Sequence, residues 1–248
     1  MRAVTTHLPN GATAHADRLD RAIARIDDFF DGIFAGLEQW RPRLQRRLTD
    51  ALRFGALTGG QLTDLIEDDV LGILDDPSRP LYGAGYCADK NVVMTGSPLA
   101  WWQGPDRTLL ASSTFGTAQA AVDMARFEWY RVPLSSGRQH VAGPFVDYLC
   151  SNEITVTMSL PLEVHGRFSG VMCADVLVSS LENVLLPELG NLPGALVINS
   201  SGRVAISTHA DYETGDRFPD WDADTGSTFG DDAVTAQSHR HPFAIVIP

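Results

Sequence analysis

The sequence predicts an α+β fold, with an N-terminal helical segment followed by an antiparallel sheet. Three observations predict it. Residues 14 to about 76 carry apolar side chains at helical spacing. From residue 80 the pattern changes to strands and turns. The later strands come as hairpin, short helix, hairpin, an order that suits antiparallel pairing.

In the helical segment Leu19, Ile23, Ile26, Phe30, Ile33, Leu37 and Trp40 alternate spacings of four and three. That is a heptad seam, widened by Phe29 and Phe34. Such a seam packs on its own chain or on a second copy, and both can hold at once. Asp17 is placed to cap its start. Pro42 fits the first turn of a second helix, LQRRLTDALRFG, which Gly55 closes. A third helix opens near Thr58 with Leu62, Leu65, Ile66, Val70, Leu71 and Leu74, and ends before DDPSRP. Residues 1–78 are therefore assigned to helices for packing or dimerisation, and residues 79–248 to the sheet domain.

PLYGAGYCADKNVV reads as a strand and a turn, and FEWYRVP (127–133) as a further strand. ITVTMSLPLEV (154–164) and RFSGVMCADVLV (167–178) form a pair joined by His165-Gly166. GALVINS and GRVAIST form another, joined at Ser200-Ser201-Gly202. Between the pairs lies SSLENVLLPEL, a helix with Ser179 and Glu182 in capping-box spacing. The acidic stretch after His209 is expected as a surface excursion, and HPFAIVIP as an edge strand.

A net charge of −12 argues against binding nucleic acid or anionic membrane, which needs clustered Lys and Arg. Three cysteines, Cys87, Cys150 and Cys173, lack metal-site spacing, and their odd number fits a reducing compartment. No stretch reaches the roughly 20 apolar residues of a membrane helix, and the N-terminus lacks the apolar core of a signal peptide. A cytoplasmic protein is expected.

The chain carries no GxSxG, P-loop, strand-borne GxGxxG or HExxH, so neither catalytic residues nor a cofactor is expected. His239 and His241 have no third ligand nearby in sequence and are read as part of a solvated tail. Asp175 is the most informative residue. Alternation puts it on one strand face with Val171, Cys173 and Leu177, where a carboxylate is costly unless paired. Either it caps the following helix, a task Ser179 already suits, or it meets a ligand. Asp147 follows Gly-Pro, where turn chemistry alone explains an aspartate. Arg126, Trp129, Tyr130, Phe145 and Trp101 complete the inventory that a cationic or zwitterionic ligand needs.

From Tyr82 to Thr208 the sequence resembles the Cache domains, PAS-like sensor modules that are usually extracellular in bacterial chemoreceptors and kinases. The likeness rests on order: Trp129-Tyr130, then GPFVD, ITVTMSLPL, the HGRFSGVMCADV hairpin, the capped helix and ALVINSSGRVAIS. It implies a PAS-like antiparallel sheet with Trp129, Tyr130, Phe145, Asp147 and Asp175 in a ligand pocket. Phe145 stands where amine-binding relatives have tyrosine, and Phe127 where they have arginine, with Arg126 one residue back. AQAAVDMA offers no upstream tyrosine.

The resemblance therefore implies a non-enzymatic sensor of an amine- or amino-acid-like metabolite, serving signal transduction or transcriptional control. Homodimerisation through the N-terminal helices and a separate transcription regulator as partner belong to that expectation. An enzyme reusing the cleft, or a dimerising scaffold with a vestigial pocket, are the alternatives.

Overall fold

The computed structural model describes residues 10–110, 123–148, 152–229 and 233–248. Residues 30–180 form one compact unit; the chain through Phe29, with residues 181–248, forms another. In chain order the first elements are α1 (Asn10–Ala51), β1 (Leu57–Thr58) and α2 (Gly59–Leu74). Then come β2 (Gly83–Ala88), β3 (Val93–Thr95), β4 (Leu99–Gln103), β5 (Thr108–Leu109) and α3 (Glu128–Ser136). β6 (His140–Val146), β7 (Ile154–Val164), β8 (Arg167–Leu177) and α4 (Val178–Leu189) follow. The chain closes with β9 (Leu196–Asn199), β10 (Val204–Ser207), β11 (Trp221–Asp222), β12 (Ser227–Thr228), β13 (Val234–Gln237) and β14 (Phe243–Ile247). The expected α+β class and antiparallel sheet are borne out.

α1 runs unbroken through Pro42 rather than restarting there. Pro42 removes one intrahelical hydrogen bond, yet Leu37, Trp40, Leu44 and Leu48 are buried on both sides of it. The flanking turns are also tied to α2. Buried Asp69 accepts from Trp40 Nε1 at 3.1 Å and Arg43 Nη1 at 3.0 Å, and Arg47 Nη1 donates to the Leu65 carbonyl. Packing and these bonds outweigh the single lost one. Because α1 starts at Asn10, Asp17 lies inside it and is no cap. α2 begins as expected: Thr58 and Gln61 form a reciprocal capping box, which stabilises such a start by about 1 kcal/mol.

In the first unit six strands form one antiparallel sheet in the order β5-β4-β2-β8-β7-β6. Its spine is the β7–β8 hairpin, turning at His165 (φ 54) and Gly166 (φ 69), the left-handed pair a two-residue hairpin demands. FEWYRVP is not a strand: Trp129 and Tyr130 lie on α3. One face of that helix buries Trp129, Tyr130 and Pro133, Glu128 occupies its first turn, and left-handed Gly137 ends it. These end signals prevail over the aromatic-rich composition that reads as strand.

The second unit has its own antiparallel sheet, β10-β9-β14-β13. HPFAIVIP is therefore an interior strand, with β14 paired to both β9 and β13. The H-x-H is no solvated tail either, since His241 is buried. Nor is the acidic stretch a pure surface excursion. Phe218 and Trp221 from it are buried against Leu196, Ile198, Val204, Ala244 and Val246. α4 starts at Val178, which places Ser179 within the helix rather than at its cap. Among the described residues no helix is long and apolar enough to cross a membrane.

Candidate functional site

One face of the six-stranded sheet carries the site. The pairing registers align Gln103, Gly83, Asp175 and Thr157 in one row across β4, β2, β8 and β7. The next row holds Trp101, Gly85, Cys173 and Ser159, and the third begins Leu99, Cys87, Val171. β2 is the low floor of this face. A side chain at Gly85 would meet the Ala100 carbonyl at 2.3 Å, and one at Gly83 would meet Trp101 Nε1 at 2.9 Å. Only glycines let the Trp101 indole lie across that floor.

β6 supplies the third wall. Its register with β7 slips between Ala142 and Phe145, a bulge around Gly143-Pro144 that re-aims the strand end. Phe145 and Asp147 follow two residues apart and turn to the same side. The Asp147 backbone closes the strand end, its N–H donating to the Glu153 carbonyl and its carbonyl accepting from Asn152 N–H. α3 then lays Trp129 over the sheet, 6.4 Å from Trp101 and stacked on Phe127 at 5.7 Å.

These elements surround a small, partly open cavity of about 30 Å³ lined by Leu99, Trp101, Trp129, Phe145, Asp147, Thr157 and Asp175. Five of the seven residues expected at the site thus come together. Tyr130 stands behind the wall, edge-on to Trp129 and Phe168, with its hydroxyl donating to Asp89 Oδ2 at 3.3 Å. Arg126 lies outside, its side chain 84% exposed and facing Asp123. Sequence reasoning missed Leu99 and Thr157. For Thr157 the signal was present: alternation along β7 puts Thr155, Thr157 and Ser159 on one face, and the β7–β8 pairing sets Thr157 opposite Asp175.

Electrostatics single out Asp175. Burial pushes its carboxyl up to about 8; Thr157 Oγ1, donating to Oδ1 at 2.5 Å, opposes the rise, and the Asp147 charge adds to it. Near pH 7 the carboxyl is therefore mostly protonated. It caps no helix, since it sits within β8, three residues ahead of α4. Cys87 and Cys173 are free buried thiols whose ionisation burial opposes, so they act as small packing residues. Cys150 lies outside the described residues. Among the described residues no three His, Cys, Asp or Glu side chains converge as metal ligands would.

No family model matches the sequence, and no curated protein does. Solved structures do. The ligand-binding domain of the Pseudomonas aeruginosa PAO1 amino acid chemoreceptor PctB, in complex with L-Arg, matches with a TM-score of 0.60 at 13% identity, covering 94% of this chain and 92% of that one. The corresponding domain of PctC from the same organism, in complex with GABA, matches at 0.53 and 15%, covering 95% and 99%. The ligand-binding domain of Mlp24 with asparagine matches at 0.51 and 13%, covering 93% and 90%. The chain has the fold of a chemoreceptor ligand-binding domain. This Cache-type fold bears out the resemblance read from GPFVD and the HGRFSGVMCADV hairpin, and the neighbours that share it are sensor domains rather than enzymes.

Proposed function

We propose that the chain is a sensor domain that binds a small cationic metabolite, an amine or an amino-acid-like compound, against Asp175 and Asp147. The observation that carries this is a buried carboxyl, Asp175, facing a cavity with two tryptophan walls. None of the described residues lining that cavity is basic. An arriving ammonium group supplies the positive charge that makes ionisation of Asp175 favourable, so binding expels the carboxyl proton. Trp101 and Trp129 offer the cation their ring faces, while Phe145 and Leu99 hold the apolar part of the ligand. The neighbouring structures named for L-Arg, GABA and asparagine support the same ligand class.

Signalling follows from differential affinity for two states. Ligand contacts with Phe145 and Asp147 order the end of β6, and the long helix α1 carries the change onward. The helices of residues 1–78 dimerise in this proposal, and a separate transcription regulator receives the signal. Two free thiols inside the sheet suit a reducing cytoplasm.

A thermal-shift screen of amines, amino acids, quaternary ammonium compounds and small carboxylates tests the reading. A cationic ligand at 100 times its dissociation constant raises stability by about 2.7 kcal/mol. Stabilisation by carboxylates alone would overturn it.

A further inference from the structure

Trp101 holds a second recognition element. The residue is 4% exposed, and its Nε1 has no hydrogen-bond partner among the described residues. A buried N–H without an acceptor carries a desolvation cost that native cores seldom accept. The position of this N–H is informative. Nε1 lies 2.9 Å from the point a Gly83 Cβ would occupy, and Gly83 is the register partner of Asp175. Side chains of paired residues on one sheet face stand about 5 Å apart. The orphan donor and the buried carboxyl are therefore neighbours, one strand spacing apart, on the floor of the same cavity.

We infer that the ligand places a hydrogen-bond acceptor on Trp101 Nε1 while its ammonium group meets Asp175. This rests on the cationic reading of the cavity and narrows it. The short separation selects a compound whose acceptor oxygen sits on the carbon next to the amine-bearing carbon, or one further. The charge balance selects a neutral oxygen, because Asp147 and Asp175 share the cavity with no basic lining residue among those described. An amino alcohol or an amino amide meets both demands; a free carboxylate is repelled. The floor glycines serve this element, since any side chain at Gly83 would displace the indole nitrogen.

The test is calorimetric titration of four probes that share one apolar group: 3-methylbutylamine, L-leucinol, L-leucinamide and L-leucine. Leucinol and leucinamide are expected to bind about tenfold more tightly than the bare amine, the effect of one buried hydrogen bond. Leucine is expected to bind more weakly than leucinamide. Trp101→Phe keeps an aromatic wall and removes the donor, so the ratio of leucinol to bare-amine affinity falls to about one, whatever the variant does to amine binding itself. On the unmodified protein, the Trp101 indole ¹⁵N–¹H resonance moves downfield with leucinol and far less with the bare amine, a readout independent of whether the variant folds. If all amines bind alike and the indole resonance does not move, the Trp101 inference is overturned and the cationic site stands. If leucine binds best, the neutral-acceptor requirement is overturned. If no amine binds at all, the cationic reading itself is overturned along with it.

Discussion

The six-stranded and the four-stranded sheet each pack a tryptophan against glycine, and they treat its N–H in opposite ways. Trp221 lies against Gly202 over the four-stranded sheet, and its Nε1 donates to the Ser200 carbonyl at 3.0 Å. Packed against it are Leu196, Ile198, Val204, Phe218, Ala244 and Val246. Trp101 lies across Gly83 and Gly85 over the six-stranded sheet, with its N–H unsatisfied among the described residues and an acid on β8, the strand beyond those glycines. The first arrangement satisfies its donor within the fold. The second leaves a donor, a buried carboxyl and open space in the same place, as a binding site does and a finished core does not.

The largest effect is expected at the indole whose N–H is satisfied. Trp221→Ala removes a buried ring and strands the Ser200 carbonyl, costing about 3–5 kcal/mol. A melting curve checks it, and amine affinity at the other sheet should be unchanged. A coupled loss of binding would mean that the two sheets do not divide the work as described.

Asp175 comes next. Asp175→Ala should weaken a cationic ligand by roughly 100-fold, the scale for removing one member of a buried charge pair, while the protein stays folded. The sign of the pH effect separates this from a structural role. The folded carboxyl, near 8, lies above its unfolded value, so the folded state holds the proton that the unfolded state releases. Stability from this group is therefore full below about pH 4 and declines as pH rises toward 8. Asp175→Asn, which mimics the protonated form, should gain melting temperature over the unmodified protein, and the gain should grow from pH 5 to pH 8. A structural anion would give the reverse trend.

Thr157→Val sharpens the picture with a smaller change. Without the hydroxyl donor the Asp175 carboxyl rises further, so amine affinity near neutral pH should fall by about tenfold, one hydrogen bond to a charged group being at stake. Titration calorimetry checks it, and no change would detach Thr157 from the site.

Much of this site was legible because strands write their faces into sequence. The bounds of β7 and β8 follow from alternation, and alternation alone puts Asp175 among apolar neighbours, where a carboxylate needs a reason. Asp147 was weaker, because a turn explains an aspartate after Gly-Pro; only β6 passing beside Thr155 gives it a cavity to face. Trp129 and Tyr130 were read on the wrong element because FEWYRVP, with three aromatic residues and a valine in seven, resembles a strand. That error also obscured why Tyr130 supports the wall instead of lining it. Arg126 was drawn in by proximity in sequence, whereas its short 3₁₀ turn holds it in solvent. The second sheet was the least legible. Its central strand β14 lies more than 40 residues beyond its partner β9, and no local pattern announces so distant a pairing.

The most direct test of the central claim is the number of protons released when an amine binds. Titration calorimetry of L-leucinol at pH 7 in buffers of different ionisation enthalpy gives that number. If Asp175 is the buried acid that meets the cation, close to one proton leaves per ligand, and affinity rises by nearly tenfold per pH unit up to about pH 8. Binding with no proton released, and with affinity flat across that range, would contradict it.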